Sequence, residues 1–359
     1  MEYKKLNNTI TNFLNTQYKE FSNFTVAERA IPSLCDGLKP GARKIINAMF
    51  TGSLKDGKTY KLLSLVGDTM KLSLYAHGDM SLIGTICTIS KDFYNFYNPL
   101  EIEGQGGILR SPEAGSPRYL YIRKSKWADL IYGIDYDLLK FKIEEGQKVE
   151  PEKYLPIIPN ILSNLSMGIA NGYSFHTMSY NPIDIIDYCI YILKHKNNNK
   201  NNIIIKPYLK NIKNENWKYI NENWYSYGEW KFNKSRDLLT ITDLPYDITY
   251  NAFEKLLNSF IDNNYIKEYI DLSENGNIKY NIIFPKNTLN TLLKKEDGEE
   301  KIISKFKLIK QIPNDLLWVL DENNKLVHFE TKEKLIEYFV NYRLTIYTER
   351  KKILVKIIK

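Results

Sequence analysis

Between Asp36 and Lys124 the chain sets short helix-forming stretches in front of extended runs, and that order leaves few folds open. Pro40 suits the first turn of a helix running through Ile45, Ile46 and Met49, because its fixed φ fits that position and its missing N–H is not needed there. A polar break from Thr51 to Lys58 ends it. A second helix is expected over Tyr60 to Leu72, and a third from Asp79–Ser81 onward, carrying Leu82, Ile83, Ile86 and Ile89 at helical spacing. Residues 100–124 are expected as extended strands around a Gly-rich turn. Helices followed by a hairpin is the order of a winged helix-turn-helix, a module that places one helix in the DNA major groove. The same order occurs in folds that never touch DNA, so function has to come from the side chains.

The remaining chain predicts an α+β, multidomain protein. Leu6, Ile10, Phe13, Leu14, Tyr18 and Phe21 make residues 1–24 a helical lead, and 25–125 the winged-helix domain. Residues 126–202 hold prolines and turns, then an apolar helix, Ile183 to Leu193, opened by Asn181-Pro182. It runs into the polar stretch Lys194 to Asn202, expected as a solvated loop and boundary. Residues 203–330 alternate short strands with one helix, Tyr250 to Asn263, and 331–359 is a basic helix. The three cysteines, Cys35, Cys87 and Cys189, and the four histidines have neither zinc nor redox spacing. Net charge is +8, which suits a polyanionic partner. No apolar run suits a membrane span and the first residues lack a signal peptide's apolar stretch, so the expectation is a cytoplasmic protein without a membrane partner.

Three segments stand out together: Glu28 to Lys44, containing Asp36-Gly37-Leu38-Lys39-Pro40-Gly41-Ala42-Arg43-Lys44; Tyr75-Ala76-His77-Gly78-Asp79; and Gly104-Gln105-Gly106-Gly107 followed by Ser116-Pro117-Arg118-Tyr119. With Val149-Glu150-Pro151, Gly168-Ile169-Ala170-Asn171-Gly172 and Phe339 to Leu344, they resemble in order and spacing the breakage-reunion region of type IIA DNA topoisomerases. The wording is closer to the eukaryotic and phage medium-subunit forms than to gyrase A, and residues 203–328 match only loosely. The resemblance implies that 126–202 is a linker and the first part of a tower domain, that 203–330 is the tower or shoulder domain, and that 331–359 starts a coiled-coil arm. The chain ends at Lys359, so the distal dimer gate is expected to be missing.

By that resemblance Tyr119 is the nucleophile, forming a 5′-phosphotyrosyl link during transient double-strand cleavage. A phenol suits reversible cutting, since a phosphotyrosine conserves the phosphodiester bond energy. Its ordinary pKa of about 10 calls for help, and Arg118 supplies a fixed cation with a fork matched to phosphate oxygens. His77 is expected to donate to the same phosphate or shuttle a proton. Arg29, Lys39, Arg43 and Lys44 are expected to grip the DNA backbone, which positions the duplex without reading its sequence. Ile169 is expected as an apolar wedge between base pairs. Tyr75 and Ala76 depart from the family, which often carries a second polar group before His77. Asp135-Tyr136-Asp137 is taken as a solvated turn rather than a metal site.

Neither a carboxylate cluster for a metal nor a Gly-rich nucleotide loop stands out in the sequence. The resemblance therefore implies a separate large subunit, with Mg²⁺ on its toprim domain and ATP on its GHKL ATPase domain, and a homodimer of this chain within a larger complex. Double-stranded DNA is the expected substrate. The competing reading is a non-catalytic winged-helix DNA-binding or scaffold protein, with Tyr119 merely a wing aromatic.

Overall fold

The structure is a computed structural model that describes residues 9–195, 203–274 and 276–358. Leu6 of the lead, and all of the polar run beyond His195, lie outside the described residues. The chain divides into two compact units: residues 1–103, 117–205 and 315–359 form the first, and 104–116 with 206–314 form the second. This differs from the expected boundaries, which place 104–116 with the winged helix and both the later part of 126–202 and 315–330 with the tower.

The first unit opens on a continuous helical stretch, Ile10 to Ala30, in which α turns alternate with π turns at Leu14–Tyr18 and Val26–Ala30. Its apolar side chains Ile10, Phe13, Leu14, Tyr18, Phe21 and Phe24 are exposed. Three helices follow, Pro40–Thr51, Leu62–Leu72 and Asp79–Ser90, and each packs against the other two. Their inner faces bury Ile45, Ile46, Leu62, Leu65, Leu82 and Ile86. The 3.6-residue spacing of these side chains puts them on one stripe per helix, which is why three short helices close into one core. Beside them lies a three-stranded antiparallel sheet with Tyr121–Lys124 between Tyr60–Lys61 and Leu100–Glu103. The second helix starts two residues later than its apolar pattern suggests, because Tyr60 and Lys61 pair with Ile122 and Tyr121. This is a winged helix-turn-helix.

A second sheet in the same unit orders its strands Leu326–Phe329, Leu316–Leu320, Ser174–Thr177 and Ser166–Ile169. Strand alternation divides its faces: Phe175, Leu317 and Val319 are fully buried, while Met167, Ile169 and Leu316 point to solvent. Backbone bonds from Leu34 to the Leu320 carbonyl, 2.8 Å, and from Leu320 to that of Pro32, 3.1 Å, tie this sheet to the loop before the first winged-helix helix. The helices Pro182–Lys194 and Lys332–Ile358 pack on each other.

The second unit has a four-stranded antiparallel sheet in the order Glu229–Asn233, Leu238–Asp243, Tyr280–Ile283, Glu268–Asp271. The helix Tyr250–Asp262 covers it through Phe253 and Leu257, which meet Leu239, Ile241, Tyr280 and Ile282 in one core. The expectation of a single helix here is corrected by two more, Thr288–Leu293 and Gly298–Lys305. Both are short, and the charged run Lys294 to Lys301 between and within them hides the apolar period carried by Leu289, Ile302 and Ile303. The loop Gly104–Ser116 belongs to this unit through Arg110, which is buried, pairs with Asp243 at 3.0 Å and donates to the carbonyls of Leu244, Pro245 and Ile248. It is therefore more than the tip of a hairpin.

Candidate active site and nucleic-acid interface

Tyr119 ends a single 3₁₀ turn, Pro117–Tyr119, at the entry to the central strand of the winged-helix sheet. The next residue fixes it there. Leu120 is buried, its N–H donates to the Pro117 carbonyl at 3.2 Å, and its carbonyl accepts from Leu62 N–H at 3.1 Å. With the backbone pinned, the Tyr119 side chain stands 71% exposed. Arg118 beside it is also exposed, and neither side chain is hydrogen-bonded or ion-paired to another of the described residues. The contrast with other tyrosines is informative. Burial pushes the phenols of Tyr132 and Tyr154 well above their ordinary pKa, so they cannot ionise or reach a ligand.

His77 lies in the exposed loop before the helix Asp79–Ser90. Arg29, at the end of the first helical stretch, donates from Nη2 to the ring at 3.2 Å from Nε2 and 3.4 Å from Nδ1. The Tyr75 ring meets His77 edge-on at 5.3 Å, so the residue that departs from the family pattern helps hold the imidazole. Phe24 stacks beneath Arg29, with the guanidinium carbon 5.7 Å from the ring centre. The structure thus brings Arg29 and His77 together, and no hydrogen bond joins either to Tyr119 among the described residues.

The expected row of phosphate-gripping cations splits up. Arg43 is 5% exposed and makes a two-pronged pair with fully buried Asp36, at 2.8 and 3.1 Å, adding a bond to the Leu38 carbonyl. Burial works against its charge, but Asp36 outweighs that and raises its pKa. Asp36 also accepts from the N–H groups of Leu38 and Tyr154, both at 3.0 Å. Arg43 is therefore an internal brace, which corrects its expected place on the DNA. Lys44 is largely covered too, 2.9 Å from Glu150 and 3.0 Å from the Ser73 carbonyl. Lys39 is half-buried and spends a donor on the Met167 carbonyl at 2.6 Å; burial lowers its pKa. Of the four, only Arg29 is exposed. Their spacing in the sequence could not separate them, since at a helix start inward and outward positions alternate within one turn.

Ile169 is 71% exposed at the end of the edge strand Ser166–Ile169, paired with Ser174 across the hairpin. A row of large side chains shares its sheet's open side: Trp318 sits 4.9 Å from the Tyr173 ring and 4.8 Å from that of His328. Asp135 is not in a solvated turn. Its side chain is 4% exposed and pairs with Arg343, and with Arg350 at 3.3 Å, joining the long C-terminal helix to the loop. Sequence reasoning missed Asp36, Asp135 and Arg110 as organisers, because a buried carboxylate or guanidinium announces itself only through its partner.

Among the described residues no group of three His, Cys, Asp or Glu side chains could hold a metal ion, and no helix is long and apolar enough to cross a membrane.

Known proteins match this arrangement over almost the whole chain. The profile of the DNA gyrase/topoisomerase IV A-subunit family matches residues 29–359. A mitochondrial DNA topoisomerase 2 of Dictyostelium discoideum is 31% identical over 97% of this chain and 27% of its own length. A DNA topoisomerase 2 of Drosophila melanogaster is 31% identical over 93% of this chain and 23% of its own. The chain spans about a quarter of the length of these curated relatives. The solved DNA-binding, cleavage and re-ligation domain of Plasmodium falciparum topoisomerase II superimposes with a TM-score of 0.85 at 30% identity, over 96% of this chain and 46% of that one. The winged helix, the exposed tyrosine and these matches together show that the chain belongs to the DNA gyrase/topoisomerase IV A-subunit family, the breakage-reunion region of the type IIA topoisomerases.

Proposed function

We propose that this chain cuts and rejoins double-stranded DNA, with Tyr119 as the nucleophile, Arg118 as its phosphate-binding neighbour, and Arg29 with His77 as a second phosphate-contacting pair. The observation that carries the reading is the pinned, exposed Tyr119 phenol beside an exposed Arg118 guanidinium on a winged helix. The phenol oxygen bonds to phosphorus as the bond to the 3′ oxygen breaks. The phenol gives up its proton and the departing 3′ oxygen gains one. Rejoining is the reverse, and no water is consumed. Arg118 favours the charge that gathers on the phosphate as the new bond forms. Ile169 enters the duplex as a wedge and bends it, and the apolar, aromatic open side of its sheet gives the bent duplex a surface to lie against.

Among the described residues no carboxylate and histidine group fits a metal; by its family likeness, this reading gives Mg²⁺ and ATP to a large partner subunit with toprim and ATPase domains, in an assembly with two copies of this chain. In that assembly passage of a second duplex through the break is driven by ATP. The exposed apolar stripe from Ile10 to Phe24 supports such a partner, since a contiguous apolar face on a helix calls for cover. The working compartment is one that holds DNA, the cytoplasm or a host's cytoplasm.

The decisive experiment mixes the chain with the candidate large subunit, supercoiled DNA and Mg²⁺ and denatures the mixture rapidly with detergent. Cleaved DNA linked to protein is expected, and absent with Tyr119→Phe, which still binds DNA. Binding without an adduct under every condition would make the chain a DNA-binding or scaffold protein instead.

A further inference from the structure

Lys39 and Gly168 meet between two parts of the first unit that the proposed function keeps separate. The strand Ser166–Ile169 is at the edge of its sheet, so one side of its backbone has no strand partner. Lys39 reaches that side from just ahead of the helix Pro40–Thr51 and donates to the Met167 carbonyl at 2.6 Å. One residue on, the backbone of Gly168 lies directly against Ala30. A Cβ added there would stand 2.2 Å from the Ala30 carbonyl oxygen and 3.5 Å from Lys39 Cε, closer to the oxygen than real Cβ atoms come. Ala30 follows Arg29, which holds His77, and Gly168 precedes Ile169. The wedge and the Arg29–His77 pair are thus each one residue from the same contact.

We propose that Lys39 is a positioning residue rather than a phosphate contact: with Gly168 it forms a strut through which the seating of Ile169 in DNA sets the position of Arg29 and His77. The inference rests on the reading of Ile169 as a wedge and adds a link from bending to cleavage. The half-buried state of Lys39 fits this role, because an amine already committed to a carbonyl releases no counterion when DNA binds. A duplex that resists bending would leave the strut unloaded and Arg29 and His77 out of place, so cutting would be confined to bent DNA.

The test uses the full chain with its large subunit and Mg²⁺, and a short duplex carrying a dye at each end to report bending. Lys39→Met is expected to bind with the wild-type salt dependence and to bend the duplex as wild type does. Its detergent-trapped cleavage falls roughly tenfold or more, as small misplacements of catalytic groups produce. Lys39→Arg, which keeps a donor, recovers much of the loss. Lys39→Met combined with Ile169→Ala cleaves no less than Ile169→Ala alone. If Lys39→Met melts early, Gly168→Ala, which presses on Ala30 instead, is expected to show the same separation of bending from cleavage. The strut is overturned if Lys39→Met lowers the log–log salt slope by about 0.9, the mark of one lost phosphate contact. It is also overturned if the two losses multiply, or if bending and cleavage fall in step in both variants or stay at wild-type levels. Failure of the proposed function would appear in the wild-type chain, as no bend or no adduct, and would take the strut with it; failure of the strut alone appears only in the Lys39 and Gly168 variants.

Discussion

At the scale of single residues, charge in this chain serves two ends that look alike in one dimension. Arg43 and Arg118 each sit in a motif that resembles the family's, yet Arg43 is locked to Asp36 inside the protein and Arg118 stands in solvent. Arg43→Ala is expected to destabilise the fold by about 3–5 kcal/mol, because it strands a buried carboxylate. Urea unfolding measures that, and DNA affinity of the folded fraction should keep its salt slope. A second carboxylate offers a pH test. Burial raises the pKa of Asp315, which accepts hydrogen bonds from Tyr180 at 2.6 Å and Thr177 at 3.0 Å. A raised carboxyl favours folding in acid and loses that benefit as pH climbs through its folded value. Asp315→Asn should therefore melt higher than wild type near neutrality, with the gap closing as pH falls through the raised folded pKa toward the ordinary carboxylate range. A gap that widens in acid would show that the ionised form is the favoured one. The motifs single out Tyr119, Arg118 and His77 in the sequence, but not which neighbours face inward. That depends on partners such as Asp36 and Glu150, which lie 7 and 106 positions from their cations.

Among the elements, apolar periodicity located the winged-helix helices well, because each buries a single stripe against the other two. It failed where a helix is short and its ends are charged, as at Gly298–Lys305, and where strand pairing took Tyr60 from a helix start. In the N-terminal stretch it succeeded in another sense: Phe13 and Phe21 keep helical spacing but stay exposed. Replacing both with Asp should leave the chain's own stability within about 0.5 kcal/mol, as surface changes do. It should weaken co-purification with the large subunit sharply. Unchanged association would leave that stripe without its proposed partner.

For the whole molecule, fold class followed from the order of elements, whereas the division into units did not. Arg110 carries the reason: a buried cation that answers Asp243, 133 positions away, draws Gly104–Ser116 out of the winged-helix hairpin. Residues 206–314 expressed alone should therefore fail to fold cooperatively, with Asp243 left without its cation, and a peptide spanning 104–116 should restore a sharp melt. A sharp melt without the peptide would show that the loop is dispensable.

Because the smaller unit is woven from two separate stretches, the chain crosses between units four times, at 103/104, 116/117, 205/206 and 314/315. Genetic exchange could not transplant that unit as one cassette. One seam falls between Ser116 and Pro117, directly before the turn that presents Tyr119. Insertions and deletions, tolerated at most surface loops, would there shift the reacting oxygen itself, so length variation in this lineage should collect at the other three seams.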